Sequence, residues 1–348
     1  MRTKPLPLAL LSLLALAVLA APAGAIAGAT DRVPAPSLLV PFFETGINSA
    51  THPHDTLLVV TNVLDAGQTL HYQVWDIDGN PTGLQGNVVL AARDTWSAAL
   101  RDLITPAAAP IKTQLTQDDF YRGFLTIDLV TAPTAFHPLQ GAFPFANTAA
   151  LEGFIYYTRL SQGSANGLAM VPLEFVPPST NSLLRDFYAG GGSREEIDAD
   201  ARLCAQQLTT GVACTGDANA VLERIHLRHF GSAPLSGRSK LVIFTWNTFS
   251  TGGGPSALCE GAPEPCAVTY PYKRYDEAGN LILDAVVRLD HVVNLIEVTA
   301  TQPGWISVES VPNFNNDLQV YAFSFNSANP SGNPNLTWDA IFEGYIVP

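Results

Sequence analysis

The sequence is short of charge, and shortest of positive charge. Asp, Glu, Lys and Arg make up 14% of its 348 residues, against about 25% in an average soluble domain. Lys and Arg number 18 against 31 Asp and Glu, a formal charge of −13. A chain this acidic lacks the basic patches that neutralise phosphate, which excludes nucleic acid and anionic membranes as partners. Catalytic signatures are missing as well. There is no Gly-x-Ser-x-Gly elbow, no His-Glu-x-x-His and no phosphate or dinucleotide loop behind a strand. That pattern points away from an enzyme, and no cofactor is expected. The βαβ rhythm of parallel-sheet folds is absent too. Cysteine is limited to four residues and no Cys-x-x-Cys occurs, which argues against a redox or zinc site at the thiols.

Long apolar runs are limited to one, Leu8–Ala20, at the N-terminus. Arg2 and Lys4 precede it and Ala23-Gly24-Ala25 follows. A basic start, an apolar run too short for a membrane span and small residues behind it make a cleavable secretory signal. Cleavage is expected after Ala25, leaving Ile26 as the new N-terminus and a mature chain in the periplasm or the medium. The first cysteine is Cys204, so no lipid anchor is expected. Export makes disulfides the expected state of the thiols. Four cysteines allow three connectivities. Local pairs, Cys204 with Cys214 and Cys259 with Cys266, are favoured because each pair sits within one loop segment.

What the chain does contain is internal similarity. Tyr72-x-x-Trp75-Asp76-x-x-Gly79-Asn80 recurs as Tyr272-x-x-Tyr275-Asp276-x-x-Gly279-Asn280. Three flanking blocks recur in the same order. Leu57–Asn62 matches Leu241–Asn247, Gly123–Asp128 matches Gly304–Glu309, and Gly153–Tyr157 matches a block near Val320–Phe325. Within the blocks, apolar and polar residues alternate, as in Leu70, Tyr72 and Val74 or Ile306 and Val308. That period of two is the mark of half-buried strands. Asp78-Gly79 is a tight-turn dipeptide, so Asp76–Asn80 is expected to join two antiparallel strands. The first copy carries an insertion around Leu103–Asp119, with a short helix expected at Thr116–Tyr121. In the second copy the extra residues around Cys259 and Cys266 form a loop that the first lacks.

Between the copies, Ser193 with Glu196 three residues on forms a capping-box pattern. It predicts a helix from Ser193 to about Leu208, tied at its last turn by Cys204. The expected layout is a signal at 1–25, a first β-sandwich unit at 36–176, a helical bridging segment at 177–218 and a second unit at 219–348. The tandem blocks and their aromatic-Asp-x-x-Gly-Asn hairpins resemble the immunoglobulin-like modules of secreted bacterial proteins. The resemblance covers most of the mature chain. It implies two antiparallel β-sandwiches and brings no active site with it.

Candidate sites are few. His52-Pro53-His54-Asp55 sets two imidazoles and a carboxylate in one loop, a donor set suited to copper or zinc. His226 and His229, three apart on a strand, point to opposite faces and do not share a ligand. Asp76 to Asn80 has part of a calcium-loop pattern but lacks the distal Glu, and a hairpin turn is the better reading. Trp75 and Trp305 fall inside the strand blocks, where packing is the expected role. The sequence therefore points to an exported surface, matrix or adhesion protein that meets a protein or glycan partner. Sheet edges offer a route to self-association, with Ile26–Val40 as a candidate donor segment. The alternatives are a metal- or small-ligand-binding protein using His52, His54 and Asp55, and a hydrolase without a recognised motif.

Overall fold

The computed structural model describes residues 34–130, 148–159, 164–176, 194–197, 224–233, 237–247, 268–309, 318–328, 338–343 and 345–347. All four cysteines and the expected signal segment, residues 1–25, lie outside the described residues. The protein is mainly β, in antiparallel sheets. The N-terminal half contains β1 (Ser37–Gly46), β2 (His54–Asn62), β3 (Gln68–Trp75), β4 (Pro81–Leu90), β5 (Thr95–Ala99), β6 (Thr116–Gln117), β7 (Phe120–Val130), β8 (Leu151–Arg159), β9 (Ser164–Ala169), β10 (Val171–Val176) and β11 (Arg194–Ile197). The C-terminal half contains β12 (Arg224–His229), β13 (Arg238–Asn247), β14 (Val268–Asp276), β15 (Leu281–Leu289), β16 (Val293–Val298), β17 (Gly304–Glu309), β18 (Leu318–Ala328), β19 (Trp338–Glu343) and β20 (Tyr345–Val347). Two short helices, α1 (Leu100–Ile104) and α2 (Ala109–Leu115), sit between β5 and β6.

Four sheets result. Sheet A runs β11-β10-β1-β7-β3-β4, with β6 paired to β7, and sheet B runs β5-β2-β8-β9. Sheet C runs β15-β14-β17-β12-β20 and sheet D runs β16-β13-β18-β19. Among the described residues no sheet mixes strands of the two halves. The orders correspond place by place: β4-β3-β7-β1-β10 with β15-β14-β17-β12-β20, and β5-β2-β8-β9 with β16-β13-β18-β19. The four sequence blocks lie on corresponding strands. Leu57–Asn62 is in β2 and Leu241–Asn247 in β13, Gly123–Asp128 is in β7 and Gly304–Glu309 in β17. The hairpin block begins in β3 and β14, and the remaining block lies in β8 and β18.

The paired turns are alike at the atomic level. Asp76 N–H donates to Asn80 O at 3.1 Å and Asp276 N–H to Asn280 O at 3.0 Å. In each, the Asp Oδ1 accepts the Asn backbone N–H at 2.8 Å. Gly79 and Gly279 have φ of +85° and +84°, the left-handed conformation that glycine adopts without strain. The two turns differ in burial. Asp76 is 6% exposed and also accepts from Gln114 Nε2 at 2.8 Å, a residue of α2.

Side-chain alternation builds three apolar clusters. Leu38, Val40, Leu70, Leu125 and Ile127 of sheet A meet Leu58, Val60 and Ile155 of sheet B. Leu227, Tyr270, Ile306 and Val308 of sheet C meet Leu241, Ile243 and Ala322 of sheet D. The third cluster joins the halves. Leu39, Phe42, Trp75 and Phe124 from the other face of sheet A pack on Val242, Phe244, Val293 and Phe323 from the other face of sheet D. Sheets A and D therefore bury apolar residues on both faces, and Leu38–Phe43 of β1 and Leu241–Phe244 of β13 read as continuous apolar runs rather than alternations. In β1 every residue except Glu44 is buried. Each fully buried large apolar side chain contributes about 1.5–3 kcal/mol, so the junction is a core in its own right.

Three expectations are corrected. The helix placed at Thr116–Tyr121 is instead the β6–β7 hairpin, in which Gln117 pairs with Phe120 across Asp118 and Asp119. Asp118 takes φ of +52°, the left-handed turn conformation that Asp tolerates better than most residues. The insertion does carry helix, but earlier, as α1 and α2, with Pro near the start of α2 where it costs no hydrogen bond. The helix expected from Ser193 is replaced, over its described residues Arg194–Ile197, by β11, paired to Val176–Leu173. A capping box is worth about 1 kcal/mol, and an open sheet edge offers a ladder of backbone bonds in its place. Lastly, the proposed donor segment is partly in use. Its residues Ser37–Val40 pair with β7 on one side, and Ser37–Leu39 with β10 on the other, inside the chain's own sheet.

Candidate functional site

A cleft of about 260 Å³ opens beside the third cluster, where the two halves meet. The first half contributes Glu44 of β1, His54 and Asp55 of β2, Phe120 of β7, Tyr157 to Arg159 of β8 and Asn166 of β9. The second contributes Arg238 to Lys240 of β13, Glu297 of β16 and Phe325 to Ser327 of β18.

Glu44 is the centre of the charge network. Its carboxylate takes Arg122 Nε at 2.8 Å, lies 3.8 Å from Lys240 Nζ and lies 3.8 Å from His54 Nδ1. Lys240 also lies 3.6 Å from Glu297, so the lysine bridges an acid of each half. Arg122 continues to Asp118 at 3.1 Å, and its guanidinium covers the Phe120 ring at 4.9 Å. The strand segment bearing Glu44 is held by reciprocal bonds with Thr56, whose hydroxyl accepts from Glu44 N–H at 3.1 Å and donates to Glu44 O at 3.0 Å.

Tyr157 forms the floor. Its hydroxyl donates to Phe42 O at 2.7 Å. Its ring contacts Phe42, Phe323 and Phe325 at centroid distances of 6.4, 6.0 and 4.7 Å. Burial, reinforced by the Glu44 charge, holds the phenol well above its ordinary pKa, so it stays a neutral donor. On the opposite wall Ser239 Oγ donates to Asn326 Oδ1 at 2.5 Å, and both take Phe230 N–H.

The three residues singled out as metal ligands are close in sequence and separate in role. His52 lies 3.7 Å from Asp119 and edge-on to Phe120 at 5.0 Å. His54 stacks on the same ring at 5.6 Å. Desolvation by burial, then the Arg159 charge, lowers the His54 pKa against the opposing pull of Glu44. Asp55 is held by its neighbours. Its Oδ1 accepts Thr45 Oγ1 at 2.9 Å, Thr56 N–H at 2.8 Å and Arg101 N–H at 3.2 Å, so it anchors α1 to β2. Burial raises its pKa. Among the described residues no group of three His, Cys, Asp or Glu is placed to hold a metal ion.

The aromatic residues behave as packing elements. Trp75 is 1% exposed and donates from Nε1 to Thr126 Oγ1 at 3.1 Å. Trp96 stacks on Tyr72 at 5.5 Å, and Arg228 covers Trp305 at 4.8 Å. Tyr157, Lys240 and Glu44 were not anticipated from the sequence. A signal existed in β8 and β18, where Tyr156-Tyr157 and Phe323-Ser324-Phe325 place large rings on faces that a two-layer sandwich leaves in water.

The cleft's chemistry is mixed. Three carboxylates (Glu44, Asp55, Glu297) and three cations (Arg159, Arg238, Lys240) line it, with two amides, two hydroxyl-bearing serines and the Phe120 and Phe325 rings. Such a lining donates and accepts hydrogen bonds at short spacing and has no net charge of its own, in a chain that is strongly acidic overall.

No family model matches the sequence, and no curated protein matches it. Solved structures with some likeness include the major pilin of Streptococcus pyogenes, at 8% identity over 83% of this chain and 92% of that chain, TM-score 0.20. Another is a Pleurotus ostreatus lectin, at 10% identity over 90% and 86%, TM-score 0.21. A Bacteroides uniformis β-glucuronidase matches at 11% identity over 87% of this chain and 25% of that one, TM-score 0.14. TM-scores this low establish no common fold. Among the described residues no helix is long and apolar enough to cross a membrane.

Proposed function

We propose that the chain is an exported, non-catalytic recognition protein of the surface or adhesion type, which holds a sugar-sized unit of a glycan in the cleft between its halves. The export follows from the signal pattern of residues 1–25. On this reading the halves are two immunoglobulin-like sandwich units, related by duplication and joined by residues 177–218. The corresponding strand orders and the matched hairpins support that relation.

The observation that carries the ligand class is the lining of the cleft. A saccharide presents hydroxyls that donate and accept together, on a ring whose C–H faces are apolar. Carboxylates and amide oxygens meet the donors, Lys240, Arg238 and the amide nitrogens meet the acceptors, and Phe120 and Phe325 take the apolar face. A nucleotide or a strongly charged ligand would want one sign of charge, which the cleft does not offer. The volume of about 260 Å³ suits one sugar ring.

A glycan array probed with the purified full chain tests this. The expected result is a set of related saccharides that bind, with Asn166→Ala and Lys240→Ala each weakening them by about tenfold, or about 1.4 kcal/mol. No saccharide bound at millimolar concentration would sink the reading. Zinc or copper taken up by the wild type, and lost in a His52→Ala, His54→Ala double variant, would favour the metal-binding alternative.

A further inference from the structure

Strand β15 is the outer strand of sheet C, and among the described residues it pairs only with β14. It carries exposed apolar residues, with Val286 at 68% and Ile282 at 48% exposure. A long edge strand of this kind invites another strand. The corresponding edge, β4, is blunted by Pro81, Gly83 and Gly86.

The direction of the free backbone groups on β15 follows from β14. Asp276 N–H points to the β15 side, because it bonds Asn280 O. Tyr275 O points to the β17 side, because it abuts Gly304. Backbone groups alternate sides along a strand, so Pro271 faces β17, where its missing N–H ends the ladder at Tyr272. Pro271 is opposite Val286. Their pair is therefore the kind that exchanges no bonds, and the N–H and C=O of Val286 point away from β14. The same holds for Asp284 and Arg288, two residues to either side.

We infer that this edge joins two copies of the chain in a closed, two-fold antiparallel dimer, with Val286 of β15 opposite Val286 of the second copy. About that axis residue 284 of one copy lies opposite residue 288 of the other. Asp284 then meets Arg288 at both ends of the pairing, and six outward backbone groups on each copy form six inter-chain hydrogen bonds. Charge selects this register and this partner. A shift of two residues sets the charges against apolar side chains in one direction and Asp284 against Asp290 in the other, and pairing to β4 gives them nothing, since Pro81–Leu90 contains no charged residue. Arg288 also lies 2.6 Å from Asp290, on a surface where both are exposed. Across the axis it gains a second acid without leaving the first. Lys273 stands opposite Asp284 within sheet C and does not block the outer edge. The bulge at the Arg274/Tyr275 step lies outside the paired residues, so the ladder from Leu283 to Leu289 is regular. The dimer extends sheet C across two chains and places one glycan cleft on each.

Sedimentation velocity over a concentration series, on the full chain, tests the inference. The wild type is expected to form a dimer and nothing larger. Asp284→Arg and Arg288→Asp each set like charges opposite one another twice and should weaken the dimer by about tenfold or more. The double variant D284R/R288D restores opposite charges and should recover wild-type affinity, an outcome that a mere loss of stability would not give. A wild type that stays monomeric, single variants that dimerise unchanged, or a double variant that does not recover would each overturn the proposal. So would an open series of oligomers, the product of unlike edges joining. Glycan binding by a monomeric chain would leave the cleft reading standing, and a dimer that binds no saccharide would leave this one standing.

Discussion

Gly123 and Gly304 provide a matched test of how the two halves correspond. A methyl group added at Gly123 would fall well inside 3.0 Å of the Trp75 carbonyl oxygen, and one at Gly304 well inside 3.0 Å of the Tyr275 carbonyl oxygen. These are the same contact on corresponding strands, β7 against β3 and β17 against β14. Each obstacle is backbone within a ladder, so no side chain can swing aside. Gly123 is hemmed further by the Phe43 ring at 3.1 Å. An alanine must push the two strands apart by about 1 Å, which carries ladder bonds near 2.9 Å past useful length. Losing two or three such bonds at about 0.5–1.5 kcal/mol each costs about 2–4 kcal/mol. Overpacking adds about 1–3 kcal/mol. Reduced freedom of the unfolded chain returns about 0.4–1 kcal/mol. The expected net loss is about 3–5 kcal/mol for Gly123→Ala, and a similar value for Gly304→Ala. For a protein of this size that is a fall in Tm of about 6–20 °C. Urea titration and calorimetry of the full chain measure both. A Gly123→Ala variant within about 1 kcal/mol of wild type would refute the steric argument. A large effect at one glycine and none at the other would refute the correspondence.

Further outcomes follow from the same geometry. Tyr157→Phe removes the hydroxyl that donates to Phe42 O and should cost about 1–2 kcal/mol by denaturant titration, since the ring contacts survive. Burial raises the pKa of Tyr72, Tyr157 and Tyr272. Their contribution is therefore whole below about pH 10 and lost as pH rises through the folded values, visible as an alkaline fall in stability. A flat profile to pH 12 would contradict the burial. His54 and His229 are lowered, in both cases first by burial. Their contribution is present above about pH 6.5 and lost as pH falls through the folded values, so replacing both with Asn should flatten the stability profile between pH 7 and 5. Asp76→Ala should cost about 2 kcal/mol, because the buried carboxylate serves Asp78, Asn80 and Gln114. Asp276→Ala, at the open copy of the turn, should cost less. Equal losses would mean that burial does not distinguish the turns.

Local signals in this chain were legible because they depend on neighbours along the backbone. The Asp-x-x-Gly-Asn turns need a carboxylate to cap its own loop and a residue free to take positive φ, and both requirements are written within five positions. The alternation at Leu70, Tyr72 and Val74 likewise reports which face meets the first core. Misplaced helices show where that locality fails. Thr116–Tyr121 turned on the readiness of Asp118 for the left-handed region, and Arg194–Ile197 followed the open edge of β10 instead of its own capping box. The third cluster is the clearest case. Leu38 to Phe43 in β1, or Leu241 to Phe244 in β13, break the period of two, and a run of apolar residues says that both faces are covered without saying by what. The cleft was out of reach for the same reason. Glu44 meets Lys240 across nearly two hundred positions, and nothing local marks either as a partner. Strand, turn and cap are short-range balances of backbone geometry and hydrogen bonding, which sequence alone determines. Which two faces pack, and so which charges share a cleft, is decided by long-range burial, and that exists only once the chain has folded.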